Sequence, residues 1–383
     1  MPTPDDATQE SFQKAKQGVA GVPDAGGGPP SNAIDSALSA LNWVITRSAR
    51  FVADPVPHPF DPEHVRSPRI AGSHIRIGIA SVPIPLNQLV ARKMSTKDAQ
   101  YFQLYGLKPH FRKRLHAKLN HYVELACQHD CRFILLNEMA FPLEGTRSST
   151  RARNRELLEF VQQAKSSLTR DDHPRYVVAG TFHDPASKYN LAPMVVRAAG
   201  TDPNVSHLHS KKTSATRLGE KVRLPPDRTL RLYRTAYGHM AVMICLDFYD
   251  ASQVLSLVQY NHSKDLDPEP SSDRIELLSI VSFGMDRETL CAKAAEDVSR
   301  LLGAAVAFCH SRGDQSRQYF YVGGNPVDPV EVEPRSGPPE LSVFELRADD
   351  LHSAWDESRT FRRPVHELLT KRSVPDISRI KIY

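Results

Sequence analysis

Three segments of this chain place a reactive side chain at the end of an apolar run. The first is Gly238-His-Met-Ala-Val-Met-Ile-Cys-Leu-Asp247, where a buried strand is expected to give way to a polar turn at Cys245. A thiol at a strand-to-helix corner can attack a carbonyl-type carbon, with the backbone N–H of Leu246 available to hold the oxyanion. The second is Phe133-Ile-Leu-Leu-Asn-Glu-Met-Ala-Phe-Pro142. Glu138 follows the strand, and the neighbouring Met139, Ala140 and Phe141 predict a partly apolar setting. Such a setting raises a carboxyl pKa and prepares the group to accept and return a proton. The third is His207-Leu-His-Ser-Lys-Lys-Thr-Ser-Ala-Thr-Arg-Leu-Gly-Glu220, an alternating strand that ends in Lys211 and Lys212. A lysine there can stabilise an oxyanion and lower the pKa of a nearby thiol, with Glu220 placed to orient it. Singly, these are a loop carboxylate, a basic loop and a core thiol. Glu, Lys and Cys in that order, each after an apolar strand, form a constellation, because α/β sheets collect reactive groups at the C-terminal ends of strands.

The elements that must position these groups alternate between two periodicities. Ile75, Ile77 and Ile79 read as a strand, and helical spacing covers about 107–129, with Leu115, Leu119, Tyr122, Val123 and Ala126 on one side. Further strands are expected at 133–136, 176–179, 194–196, 205–208, 230–233, 241–244, 277–281, 304–309 and 341–346. Further helices are expected at 152–168 and 287–302. Several strands are continuous aliphatic runs, as in sheets covered on both faces. The alternation implies an α/β fold. Residues 1–33, rich in Gly, Pro, Ala and Asp, predict a disordered tail. Residues 34–53 show helical spacing, 54–71 read as a proline- and histidine-rich linker, the main domain spans 72–350, and 351–383 form a C-terminal extension. The stretches 143–151, 213–229 and 249–273 read as polar loops around the site, with 262–273 resembling an insertion.

Composition removes several function classes. The chain has 383 residues, ample for a large core, and its longest apolar run, Leu301 to Cys309, is too short to span a bilayer. No basic segment followed by an apolar one opens the chain, which leaves the cytoplasm as the expected compartment. The net charge of +5 is spread out, and its densest stretches, Phe111 to His116 and Arg359 to Arg363, read as solvated faces rather than a nucleic-acid surface. Five cysteines, an odd number, argue against a disulfide framework, and Cys127 and Cys131 read as core thiols. No glycine-rich phosphate loop is present. A papain-like thiol hydrolase needs a histidine base, and neither His239 nor His310 sits in that local pattern.

The constellation resembles the nitrilase superfamily of carbon–nitrogen hydrolases. Ile134 to Pro142 is similar to its catalytic-glutamate segment, Ser210-Lys-Lys212 to its lysine segment, and Met243-Ile-Cys-Leu-Asp247 to its cysteine elbow. The helix ending in Ala126-Cys-Gln-His-Asp-Cys131, the stretch Ala294-Ala-Glu-Asp297 and Cys309-His-Ser-Arg-Gly313 resemble the frame around them, over about residues 74–350. Asn137 stands where the family usually has proline, and Leu246 where an aromatic or acidic residue is common. The family's lysine usually has an aromatic residue two positions before it. His209 fills that place for Lys211, which favours Lys211 over Lys212. The resemblance implies a four-layer αββα sandwich and dimers. It also implies hydrolysis of a small amide, or less commonly a nitrile, by Glu138, Lys211 and Cys245 without metal or organic cofactor. A second reading stays open: the fold serving as a binding or signalling module with weak or no hydrolysis in a bacterial multi-protein system, such as a defence locus.

Overall fold

A computed structural model describes residues 53–56, 74–95, 101–141, 150–213, 220–225, 230–265, 274–283, 288–312, 315–330 and 341–371. The expected N-terminal tail and most of the 34–53 helix lie outside these residues, as do 266–273 and 372–383. Strands are numbered in chain order as β1 (Ala53–Val56), β2 (His74–Ala80), β3 (Leu89–Ser95), β4 (Tyr101–Leu107), β5 (Cys131–Leu136), β6 (Arg175–Ala179), β7 (Phe182–His183) and β8 (Asn190–Arg197). They continue as β9 (Asn204–Ser210), β10 (Leu230–Thr235), β11 (Gly238–Ile244), β12 (Ile275–Phe283), β13 (Ala305–Arg312), β14 (Gln315–Val322), β15 (Asn325–Pro326) and β16 (Leu341–Arg347). The helices are α1 (Pro109–Gln128), α2 (Thr150–Leu168), α3 (Ala251–Asp265), α4 (Glu288–Leu302) and α5 (Ala348–Lys371).

Two sheets carry the fold. One has the order β1-β10-β11-β12-β13-β14-β15, the other β16-β2-β5-β6-β8-β7 with β9 added on β8. Strands β11, β12 and β13 run parallel, as do β2, β5 and β6. Side-chain alternation sorts each strand between two cores. Ile77, Ile79, Phe133 and Leu135 meet Met240, Val242, Ile244, Leu277 and Val281 between the sheets. The opposite residues of β5, Ile134 and Leu136, pack under α1 and α2 with Leu119, Val123 and Phe160. Those of β11, Ala241 and Met243, pack under α3 and α4 with Leu257, Val258, Ala295 and Leu302. The order is therefore helix, sheet, sheet, helix: a four-layer αββα sandwich, as the resemblance implied. Each fully buried aliphatic side chain contributes roughly 1.5–3 kcal/mol to holding these layers together. Gly78 lets α1 approach closely, since a Cβ there would stand 3.1 Å from the Cβ of Ala126 and 3.2 Å from Cys131 Sγ. No helix among the described residues is long and apolar enough to cross a membrane.

Several elements depart from the sequence expectation. Residues 53–56 of the expected helix and linker form β1, which pairs in parallel with β10. The 249–273 stretch is not a loop throughout: α3 occupies 251–265. The expected boundary at 351 falls inside α5, which packs against α3 and α4 and sends Leu351 and Ala354 into the intersheet core. The β3–β4 hairpin was not anticipated. It leaves the sandwich between β2 and α1, so neither sheet periodicity nor a helical stripe marks it. Cys127 lies in the last turn of α1 and Cys131 begins β5, and both are buried, with burial pushing the Cys127 thiol up to about 11.

At the sheet end away from the site, burial pushes the Glu276 carboxyl up to about 7, opposed by Arg274, whose Nε lies 3.5 Å away. The ordinary value is 4.5. The folded state therefore holds this proton more tightly than the unfolded state. The stability Glu276 contributes is complete below about pH 4.5 and is lost as pH rises to about 7. Glu276→Gln is expected to raise stability by on the order of 2–3 kcal/mol at pH 8, with the gain vanishing near pH 4.5. Thermal melts of both proteins across that range check this, and a pH-independent difference would contradict it.

Candidate active site

The site lies where β5, β9, β11 and β12 end. After β5 the chain turns sharply. Asn137, fully buried, accepts from Val82 N–H through Oδ1 at 2.6 Å and donates Nδ2–H to the Glu138 carbonyl at 3.0 Å. Asn137 thus ties the exit of β5 to the exit of β2. Met139 has φ +62°, and its N–H donates to Thr181 Oγ1 at 3.0 Å. Phe141 N–H donates to the Thr181 carbonyl at 3.2 Å. Gly180, at φ +76°, makes this approach possible: a Cβ there would stand 2.7 Å from the Asn137 carbonyl oxygen and 2.9 Å from the Ala140 Cβ. Gly180→Ala is expected to cost roughly 2–3 kcal/mol and to displace Glu138. A fall in melting temperature with loss of Cys245 reactivity checks this; an unchanged melt would contradict it.

Glu138 is 3% exposed, but its surroundings are not the apolar ones expected. Its Oε1 accepts from Lys211 Nζ and from Asn190 Nδ2, both at 2.9 Å. Its Oε2 accepts from Phe283 N–H at 2.9 Å. The apolar neighbours in sequence, Met139 to Phe141, turn into the core instead.

Lys211 follows β9, with its own N–H donating to the Asn190 carbonyl at 2.9 Å. Its ammonium lies between two carboxylates, 2.9 Å from Glu138 Oε1 and 2.8 Å from Glu220 Oε2. Burial alone would depress this ammonium. Glu138, Glu220 and Cys245 outweigh burial and hold its pKa well above the ordinary value. Burial likewise opposes ionisation of Glu220, and Lys211 with the His183 hydrogen bond holds that carboxyl well below its usual range. Lys212 points elsewhere, with Nζ 3.4 Å from Ser210 Oγ.

Cys245 begins a 3-10 turn, Cys245–Tyr249, at the end of β11. Its φ of +51° is a left-handed conformation that L-residues other than glycine adopt at a cost. Asp247 holds the corner. Its carboxylate accepts from Ile244 N–H at 3.3 Å, from Lys212 N–H at 2.9 Å and from Thr213 N–H at 2.6 Å. One side chain thus fixes the cysteine turn to the lysine segment, although burial pushes its carboxyl up to about 7. Leu246, second in the turn, is among the N–H groups that a helical turn leaves without an internal acceptor. The Cys245 thiol faces the Phe283 carbonyl at 3.8 Å, so Glu138 and Cys245 meet at the two ends of one residue's backbone. Ser282, beside the thiol, favours its ionisation. Burial, then the charge of Glu138, push Cys245 up to about 12, and Lys211 offsets only part of this. The lysine acts in the expected direction, but burial and the charge of Glu138 outweigh it.

Glu138, Lys211, Cys245 and Glu220 are therefore brought together, and Lys212 stands aside. Asn190, His183, Ser282 and the backbone of Phe283 belong to the site as well. Residue type alone does not mark them, apart from Asn190 as a polar residue at the head of an apolar strand. His239 and His310 do not pair with Cys245 directly; His310 Nδ1 lies 3.2 Å from Ser282 Oγ. Among the described residues, no group of three or more His, Cys, Asp or Glu side chains is placed to hold a metal ion.

No protein-family model and no curated protein matches the chain. Among solved structures, the chain is similar in fold to an amidase from Nesterenkonia sp., at 12% identity and a TM-score of 0.49, over 74% of this chain and 94% of that one. It is similar to a mutant of the amidase from Nesterenkonia sp. AN1 showing covalent addition of the acetamide moiety of fluoroacetamide at the active-site cysteine. There the identity is 11% and the TM-score 0.48, over 78% of this chain and 97% of that one. It is also similar to glutamine-dependent NAD+ synthetase from Acinetobacter baumannii, at 12% identity and a TM-score of 0.47, over 73% of this chain and 46% of that one.

Proposed function

We propose that this protein is a thiol hydrolase of the nitrilase superfamily that cleaves the carbon–nitrogen bond of a small amide, with nitriles as the less favoured substrates. The observation that carries the reading is the buried meeting of three groups at strand ends. Glu138 is held by Lys211, Asn190 and the Phe283 N–H, with the Cys245 thiol facing the carbonyl of that same Phe283.

In this reading, Glu138 takes the thiol proton as Cys245 Sγ bonds to the substrate carbon. With burial and the charge of Glu138 pushing the thiol up, the sulfur needs that base at the moment of attack. The carbonyl oxygen gains negative charge, which the Lys211 ammonium and the Leu246 N–H hold. Glu138 returns the proton to the nitrogen, the C–N bond breaks, and ammonia or an amine leaves a thioester on Cys245. Glu138 then deprotonates a water that attacks the thioester, and the proton passes to the departing sulfur. Carboxylic acid and free thiol result, and every proton is accounted for without metal or organic cofactor. Glu220 holds the lysine in place.

Ammonia release across a panel of small amides, nitriles and N-carbamoyl compounds tests this. Turnover of at least one amide, absent in Cys245→Ala, is expected. Turnover that persists in Cys245→Ala would contradict the reading.

A further inference from the structure

The hydrogen bonds of Glu220 do not stop at Lys211. His183 and Asn190 stand opposite each other in the β7–β8 pair, and both reach Glu220 Oε1, at 2.9 and 3.1 Å. On its other side, His183 Nδ1 meets the backbone N–H of Tyr105 at 2.7 Å. A backbone N–H only donates, so Nδ1 must be the acceptor and Nε2 must carry the ring hydrogen that points at Glu220. Tyr105 lies on β4 of the β3–β4 hairpin, and its ring sits 5.8 Å from that of His183. A second stitch lies beside Glu220: Gln103 and Lys221 exchange N–H···O bonds at 3.1 and 3.0 Å. His183 and Glu220 are 5% and 4% exposed, so water does not substitute freely for either contact.

We propose that His183 is a positioning residue for Lys211. The Tyr105 N–H fixes the ring so that Nε2–H is donated to Glu220, and Glu220 holds the ammonium beside Glu138 and Cys245. The β3–β4 hairpin thereby becomes part of the active site rather than an ornament on the sandwich. The inference rests on the hydrolase reading above. The charged and titratable groups around the ammonium are Glu138, Glu220, Cys245 and Asp247. Of the carboxylates in contact with it, Glu220 is the one whose other oxygen is held by His183.

Two conservative substitutions separate the two contacts. Glutamine places an N–H near the position of Nε2, and asparagine places a carbonyl oxygen near that of Nδ1. His183→Gln therefore keeps the donor to Glu220 and drops the hairpin contact. His183→Asn keeps the acceptor for Tyr105 and drops the donor. The readout is the rate of iodoacetamide alkylation of Cys245, followed by peptide mass from pH 6 to 10. Hydrogen exchange of the 101–107 peptide reports the hairpin separately, with protection kept in His183→Asn and reduced in His183→Gln. His183→Asn is expected to slow alkylation roughly tenfold across this range, the equivalent of about one pH unit. His183→Gln is expected to stay within about threefold of the wild type, short of the tenfold that one pH unit represents. Equal rates in wild type and His183→Asn, or a His183→Gln as slow as His183→Asn, would overturn the positioning role while leaving the hydrolase reading intact. A Cys245 inert in the folded wild type would instead overturn the hydrolase reading, and this inference with it.

Discussion

Cys245→Ala and Glu138→Gln are each expected to abolish amide hydrolysis while leaving the fold intact. The two variants fail for different reasons. Alanine removes the atom that bonds to substrate, and residual rate then comes only from binding and oxyanion contacts. Glutamine preserves the volume of Glu138, and its carbonyl oxygen still accepts from Lys211 or Asn190. It cannot take a proton from a thiol whose pKa is pushed up to about 12. In the proposed mechanism Glu138 is the base for attack and for thioester hydrolysis alike, so both steps fail together. Ammonia release and a thermal melt of each variant check this. Activity near normal in either one would contradict the mechanism.

Lys211→Ala is expected to be far more damaging than Lys212→Ala, in stability and in rate. Lys211 Nζ lies within 2.9 Å of two buried carboxylates, and its removal leaves both uncompensated. Breaking a buried pair by deleting one partner costs about 3–5 kcal/mol, most of it from the charge left behind. The oxyanion also loses its cation. Lys212, although 5% exposed, sends its ammonium towards Ser210, and its backbone N–H bond to Asp247 survives truncation to alanine. Urea denaturation and Cys245 alkylation rates measured on both variants check the difference. The reverse order would move the oxyanion-stabilising role by one residue.

The strand ends that carry Glu138 and Cys245 were legible because β5 and β11 are buried on both faces, so unbroken aliphatic runs mark them. The lysine was legible as a pair, with His209 favouring Lys211, and the register of β9 on β8 carries Lys211 to Glu138. Glu138's partners were not legible. Phe283 stands 145 residues away in sequence and contributes only a backbone N–H, which leaves no trace in residue type. Asn190 and His183 read as ordinary polar residues until β7 and β8 pair. The effect of the lysine on Cys245 was legible, but the groups that oppose it were not. A neighbouring lysine lowers a thiol pKa, but full burial and an adjacent carboxylate raise it more, and only three-dimensional packing shows both. The helix α3 was hidden by the polar residues that follow it.

The most direct test of the central claim is peptide mass analysis of the folded protein after brief exposure to 2-chloroacetamide, a small electrophilic amide. Cys245 lies beside Glu138 and Lys211, and burial pushes the Cys127, Cys131 and Cys309 thiols up. The predicted result is a single acetamide adduct on Cys245, formed faster than on any other cysteine and strongly slowed in Glu138→Gln. A Cys245 that stays unmodified in the folded protein yet reacts once it is unfolded would contradict the account.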